Sequence, residues 1–333
     1  NKRGVFFTAL VILILSLFFV SFTFFSTFGD RKEIRARVNS MNNFVFSLEK
    51  DMSRQVYISS FRAILSLGNE ISNTGEFVTD PETGNIKSSE TLIEEALTSG
   101  TLNGVSYPLM DGYKLSDWET KVSELGEKVN VQVDYTIQDV EVTQDSPWMV
   151  KVKMTIDILI EDKSGLASWQ KTEEIVAEVE ITEFEAPLYL VHSNGKVPNK
   201  IIKSSFCDSD GLNCDFVDGS DITKLIHHSE NSNYTASPTA PSFLDRLQGK
   251  LDANKQAGIE SLVNLKEFSD QGISTSDKSV VDYIYFSTSE PTPKACKVLP
   301  AGTPPWPSWF KLDNEHLATY EVTWDTSNCN TPS

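Results

Sequence analysis

Residues that carry chemistry are scarce in this sequence. Its 333 residues hold four histidines and four cysteines, and no HExxH, GxSxG, GxxxxGK or GxGxxG occurs anywhere. These absences set aside the zinc-protease, nucleophile-elbow, P-loop and dinucleotide signatures, so any catalysis would have to come from residues scattered along the chain. No CxxC spacing occurs either, which removes the usual cytosolic metal and redox readings of cysteine. Positive charge is also lacking where it would matter for nucleic acid. All 47 acidic residues and 27 of the 29 basic ones follow Gly29, leaving that region at −20. A body that repels phosphates excludes nucleic acid as a partner, and the surplus of carboxylates reads as solubility.

One stretch lacks charge, Gly and Pro altogether. Residues 5–28 read VFFTALVILILSLFFVSFTFFSTF, and as a helix they would cover about 36 Å, enough to cross a hydrocarbon core of about 30 Å. The expected partner of this segment is therefore a lipid bilayer, with 1–29 as a signal or anchor segment. Lys2 and Arg3 precede it, while Arg31, Lys32, Arg35 and Arg37 follow it. The positive-inside count alone would keep the body inside the cell. The layout of a basic start before an apolar run, together with an even number of cysteines, argues instead for export and an extracytoplasmic body.

Lys2-Arg3-Gly4, directly before an apolar helix that runs on into an amphipathic one, resembles the N-terminus of archaeal type IV pilin-like proteins with class III signal peptides. The resemblance implies cleavage between Gly4 and Val5, with the retained helix anchoring the subunit or joining other pilin-like subunits. It departs from the bacterial pattern, because the fifth residue after such a cut is Ala9 and not Glu. Asp145-Ser146-Pro147-Trp148 and the segments 165–169, 258–263 and 281–286 are similar to exported proteins of small-genome archaea, a family without an assigned activity. That second likeness covers most of residues 30–320.

From Asp30 to Gly68 no Gly or Pro interrupts, and Ile34, Val38, Met41, Val45, Leu48 and Met52 repeat in steps of four and three. This heptad stripe predicts a long amphipathic helix over 30–72, bent at Gly29 or straight, that serves either as a stalk pairing with other helices or as a cover for its own body. Short helices are expected over 88–97, capped by Ser89, and over 115–125, with Ser116 and Glu119 as a capping box. Between 129 and 182 apolar residues alternate with polar ones in three runs, which predicts an antiparallel meander with turns at Asp145-Ser146-Pro147 and Lys163-Ser164-Gly165. One apolar face needs a cover, and the long helix is the candidate. The fold class is α+β, with an α+β domain over 73–195 and a disulfide-containing region over 196–333. Within the latter, 204–241 reads as an exposed polar loop, 279–286 as a buried strand and 316–324 as a last strand.

Cys207, Cys214, Cys296 and Cys329 predict two disulfides with three pairings open. Asn233-Tyr234-Thr235 is a glycosylation sequon. Asp208, Asp210, Asn213, Asp215 and Asp218 surround an Asp-Gly step, the oxygen-rich turn a calcium ion needs. The bidentate Glu expected at the twelfth position is replaced by Gly219, so an acidic turn without an ion is the competing reading. No cofactor other than calcium is expected, and no catalytic residue. The adjacent His227 and His228 read as solvated. The expected function is a membrane-anchored structural or interaction subunit of pilin-like type; a tethered ligand-binding module or adhesin is the alternative, and a surface hydrolase the third reading.

Overall fold

The computed structural model describes residues 2–288, 295–297 and 307–322. A single uninterrupted helix, α1 (Lys2–Thr74), joins the apolar stretch to the body without a break at Gly29. With 73 residues it is about 110 Å long. Its two ends live in different surroundings. Every residue from Phe6 to Thr23 is exposed, whereas Met41, Val45, Leu48, Met52, Val56, Ala63, Ile64, Leu67 and Ile71 are buried. Of the two readings of the heptad stripe, the structure shows the cover: from Met41 onward it faces the chain's own body. Only Ile34, 40% exposed, and the half-buried Val38 lie outside that contact.

The surface beneath α1 is the predicted meander, formed by β3 (Val131–Ser146), β4 (Met149–Asp162) and β5 (Ser168–Glu180) in the order β3-β4-β5. A small hairpin, β1 (Thr101–Leu102) with β2 (Val105–Ser106), precedes it. All pairings are antiparallel. Val150, Val152, Met154, Ile156, Ile158 and Ile160 of central β4 project toward the helices and are almost fully buried. The residues between them face outward, as period two requires. In β3 the pairing shifts register between Ile137 and Asp139, so Gln138 is an extra residue. The apolar parity of the strand changes there, from Val131, Val133 and Ile137 to Val140 and Val142, and the bulge keeps both sets on the covered face.

Helices α2 (Ser89–Ser99) and α3 (Leu115–Lys128) complete that cover beside α1. Their caps differ from expectation. Ser88 rather than Ser89 caps α2, since its Oγ accepts from Thr91 N; Ser89 is buried and donates to Leu244 O at 2.9 Å. In α3 the cap residue is Lys114, with no side-chain cap bond, so the Ser116/Glu119 box does not form.

The C-terminal half consists of short elements: α4 (Pro187–Ser193), α5 (Thr223–Glu230), β6 (Tyr234–Ala236), α6 (Phe243–Leu247), β7 (Ile259–Ser261), α7 (Leu265–Asp270), α8 (Asp282–Tyr285), β8 (Ala295–Lys297) and β9 (Lys311–Asp313). Strand β6 pairs with β7, and β8 with β9. Buried side chains from Met41 to Tyr320 form one contiguous core, so the 73–195 and 196–333 segments share it. Three expectations are corrected here. The 204–241 segment is exposed over most of 205–221, as expected, but not throughout: Phe216, Leu225, His228, Tyr234 and Thr235 are at most 1% exposed, and 232–237 is buried without interruption. The 279–286 segment is buried yet turns into α8, because Asp282 is hydrogen-bonded as the first residue of a helical turn. Residues 315–322 form turns, with the strand placed earlier, at β9.

Candidate functional site

Three places deserve comparison: the acidic turn, the buried polar residues of the C-terminal half, and the bare end of α1. The turn is closed by a disulfide between Cys207 and Cys214. The second pair cannot be followed, since Cys329 lies outside the described residues, as does the Cys296 side chain. Gly211 adopts φ +76°, and a Cβ there would come within 2.6 Å of Trp148 Cζ2, so this corner requires glycine. Trp148 Nε1 donates to Asp210 O at 2.8 Å and anchors the turn to the sheet.

The five predicted calcium ligands do not converge. Asp208 accepts from Asn213 Nδ2 at 2.5 Å and from Leu212 N at 3.0 Å, and these bonds, with the Asn213 side chain first, hold its carboxyl below the ordinary range. Asp215 pairs with Lys224 at 2.6 Å, and Asp218 pairs through its backbone with Asp221. Among the described residues no group of three or more His, Cys, Asp or Glu side chains is placed to hold a metal ion. The Asp208 carboxylate is used by the turn itself and that of Asp215 by Lys224. Asn233 of the sequon is 8% exposed at the entry to β6, so the folded chain does not present it for a glycan. Gly4 and Val5 lie in the first turns of α1.

The buried polar residues were not singled out by the sequence. Arg246 on α6 is fully buried and forks onto Asp282, Nη1 to Oδ2 at 2.7 Å and Nη2 to Oδ1 at 3.2 Å. Its Nη2 also donates to Ile259 O. Asp282 Oδ2 accepts from Ser261 Oγ at 2.9 Å, and that hydroxyl meets Tyr189 Oη at 2.9 Å. On the neighbouring residue of β7, Glu260 accepts from Tyr320 Oη at 3.0 Å and lies 3.4 Å from His316 Nε2. His316 Nδ1 lies 2.7 Å from Asp313, its Nε2 lies 3.0 Å from Tyr283 Oη, and Asp313 accepts from Ser279 Oγ at 2.6 Å. Burial by itself would push the His316 imidazolium down, but hydrogen bonds to Asp313 and Glu260 and their charges raise it to about 10. The result is a charged imidazole between two carboxylates. Arg246 likewise forms a bidentate pair with Asp282. Such a network fixes β7, α8 and the 311–321 segment to one another.

His228 is the opposite case. It is fully buried beside Phe216 and Tyr320, with Nδ1 3.1 Å from Ser204 Oγ and no partner at Nε2. Burial, helped by the His227 charge, lowers it to about 3, so the ring is neutral. The solvated reading holds for exposed His227 alone.

What remains is the end of α1. The window Phe6–Thr23 is long and apolar enough to cross a membrane, and none of it is buried against the rest of the chain. Two of its polar side chains turn back onto the helix: Ser16 donates to Leu13 O at 2.8 Å and Thr23 to Val20 O at 2.8 Å. This arrangement hides their hydroxyls from an apolar solvent. Comparisons with protein-family models, curated proteins and solved structures found no match.

Proposed function

We propose that this chain is a membrane-anchored structural or interaction subunit of pilin-like type, with its body held outside the cytoplasm. The observation that carries the reading is the division of α1: one continuous helix, bare and apolar over Phe6–Thr23, then buried along one stripe from Met41 to Ile71. In water the bare part would expose a long apolar surface, so it needs lipid or other helices around it. The Cys207–Cys214 disulfide supports an oxidising compartment. The tethered binding module is the second reading, supported by the same stripe. Its residues are spent on the chain's own sheet, so subunit assembly would fall to the apolar end, which has no GxxxG spacing.

Protease added to intact cells should remove the body, and a mass measurement should find a mature N-terminus at Val5. A body protected from protease overturns the external placement. A mature chain retaining Lys2 to Gly4 overturns the pilin-like processing and leaves the tethered module.

A further inference from the structure

A lysine, a carboxylate and a side-chain amide meet beside α2. Lys87, just before that helix, places Nζ 3.1 Å from Glu95 Oε2 and 3.4 Å from Asn103 Oδ1. Lys153 and Lys171 on the sheet each face two carboxylates; Lys87 instead faces one base and one acyl group. All three side chains are held from elsewhere. Glu95 Oε1 accepts from Thr101 Oγ1 at 2.8 Å and from Gly104 N at 2.6 Å, which leaves Oε2 for the lysine. Burial alone would raise the Glu95 carboxyl, but the bonds from Gly104, Thr101 and Lys87 outweigh it and hold the group below the ordinary range, as a proton acceptor. Asn103 Nδ2 donates to Thr79 O at 2.8 Å, and Lys87 N to Val78 O at 2.9 Å. The Lys87 and Glu95 side chains are only 26% and 21% exposed.

The turn that carries Asn103 disfavours the reaction usual for an Asn-Gly step. Asn103 and Gly104 are the two central residues between β1 and β2, with φ +55° and +78°, which makes the turn type I′. In such a turn the first central residue has ψ of about +30°, and this sets the next backbone nitrogen on the far side of Cα–C from Cβ. Gly104 N therefore faces Glu95 and not the Asn103 side chain. Lys87 Nζ is the nucleophile left beside the amide.

We propose that Lys87 and Asn103 join in an isopeptide bond, with Glu95 as the catalytic carboxylate. Glu95 takes a proton from the Lys87 ammonium, Nζ forms a bond to Asn103 Cγ, and Oδ1 receives the carbonyl electron pair. Oδ1 then returns that pair and the Cγ–Nδ2 bond breaks. Nδ2 takes the proton held by Glu95 and leaves as ammonia, while Nζ gives up a second proton through Glu95 and the ammonia departs as ammonium. Nothing is oxidised or reduced, and no other reactant is needed. Fixing amine, amide and base together replaces a bimolecular encounter, which is how an unactivated amide becomes an acyl donor. The bond ties the 76–87 segment to the β1–β2 hairpin around α2, and it requires neither the membrane anchor nor an oxidising compartment.

The test uses the full chain, incubated at neutral pH, reduced and digested with trypsin. Trypsin cuts after Lys and Arg, so an unlinked chain gives separate peptides 63–87 and 88–114. A linked chain should give one peptide, 63–114, uncut at Lys87 and lighter than its sequence by one ammonia. Lys87→Arg, which keeps a cation beside Glu95, and Glu95→Gln should both show the full mass over this region and melt cooperatively at a lower temperature than the linked chain. Cleavage at Lys87 with full mass in the unaltered chain overturns the bond. An ammonia deficit confined to 88–114 also overturns it, because that is ring closure by Gly104 N. Linkage that persists in Glu95→Gln overturns the role given to Glu95.

Discussion

His228 and His316 sit in one protein with displacements of opposite sign, and the cause is what surrounds each ring. His228 faces aromatic rings and one hydroxyl, so burial disfavours its charge; His316 faces Asp313 and Glu260, so the charge is held. Linkage turns this into a pH profile. The folded value of His228 is about 3, below its ordinary 6.5, so the neutral ring contributes stability above 6.5 that is lost as pH falls from 6.5 toward 3. The folded value of His316 is about 10, so its contribution is complete below 6.5 and is lost as pH rises from 6.5 toward 10. Thermal melting should therefore peak near neutrality. His228→Phe should flatten the acid side and leave the alkaline side, whereas His316→Gln should lower the peak and flatten the alkaline side. If neither limb changes in its variant, the two environments are not those described. Nothing in the sequence marked these residues. Glu260, Asp282, Asp313 and His316 are spread over 57 positions of weakly patterned chain, and a single polar residue in such a chain does not reveal whether a partner awaits it inside. Polar composition misled over the later part of 204–241 for the same reason: Ser204 and Thr235 are buried with their hydroxyls paired, and paired hydroxyls tolerate burial.

At the scale of elements, legibility follows the range of the signal. The meander was readable because alternation is local, and the bulge at Gln138 was written in the parity change from Ile137 to Val140. The stripe of α1 was readable as apolar, but not what it faces, since a helix covering its own sheet and one pairing with another helix need the same spacing. The structure separates them by position. Met52 is 1% exposed and Ile34 is 40% exposed, so equal truncations at two points of one stripe should differ. Met52→Ala should destabilise the body by about 2–5 kcal/mol, through lost burial and the cavity left behind. Ile34→Ala should stay within about 0.5 kcal/mol. Urea unfolding of both variants measures the difference. Equal small losses would mean that α1 is only loosely laid on the sheet.

For the whole molecule, α1 is both the link to the membrane and a wall of the core, and the two roles part between Thr23 and Met41. Nine of its apolar side chains, from Met41 to Ile71, are buried in the body. At about 1.5–3 kcal/mol for each of the eight larger than alanine, their loss would cost about 12–24 kcal/mol, which matches or exceeds the 5–15 kcal/mol by which domains are usually stable. A fragment beginning at Gly75 should therefore be insoluble or unfolded, with the apolar face of β4 open to water. A fragment beginning at Asp30 keeps every one of those contacts. It should melt cooperatively, and it should be monomeric in gel filtration, because the stripe faces its own sheet and the net charge of −20 in the region after Gly29 resists association. Sedimentation at increasing salt makes the check stringent, since screening removes the repulsion and leaves any apolar pairing through Ile34 and Val38 to show itself. A dimer at high salt that disappears in Ile34→Asp, with melting unchanged, would return the upper stripe to a stalk role. A monomer throughout leaves the Phe6–Thr23 end as the part of α1 through which this chain can meet its neighbours.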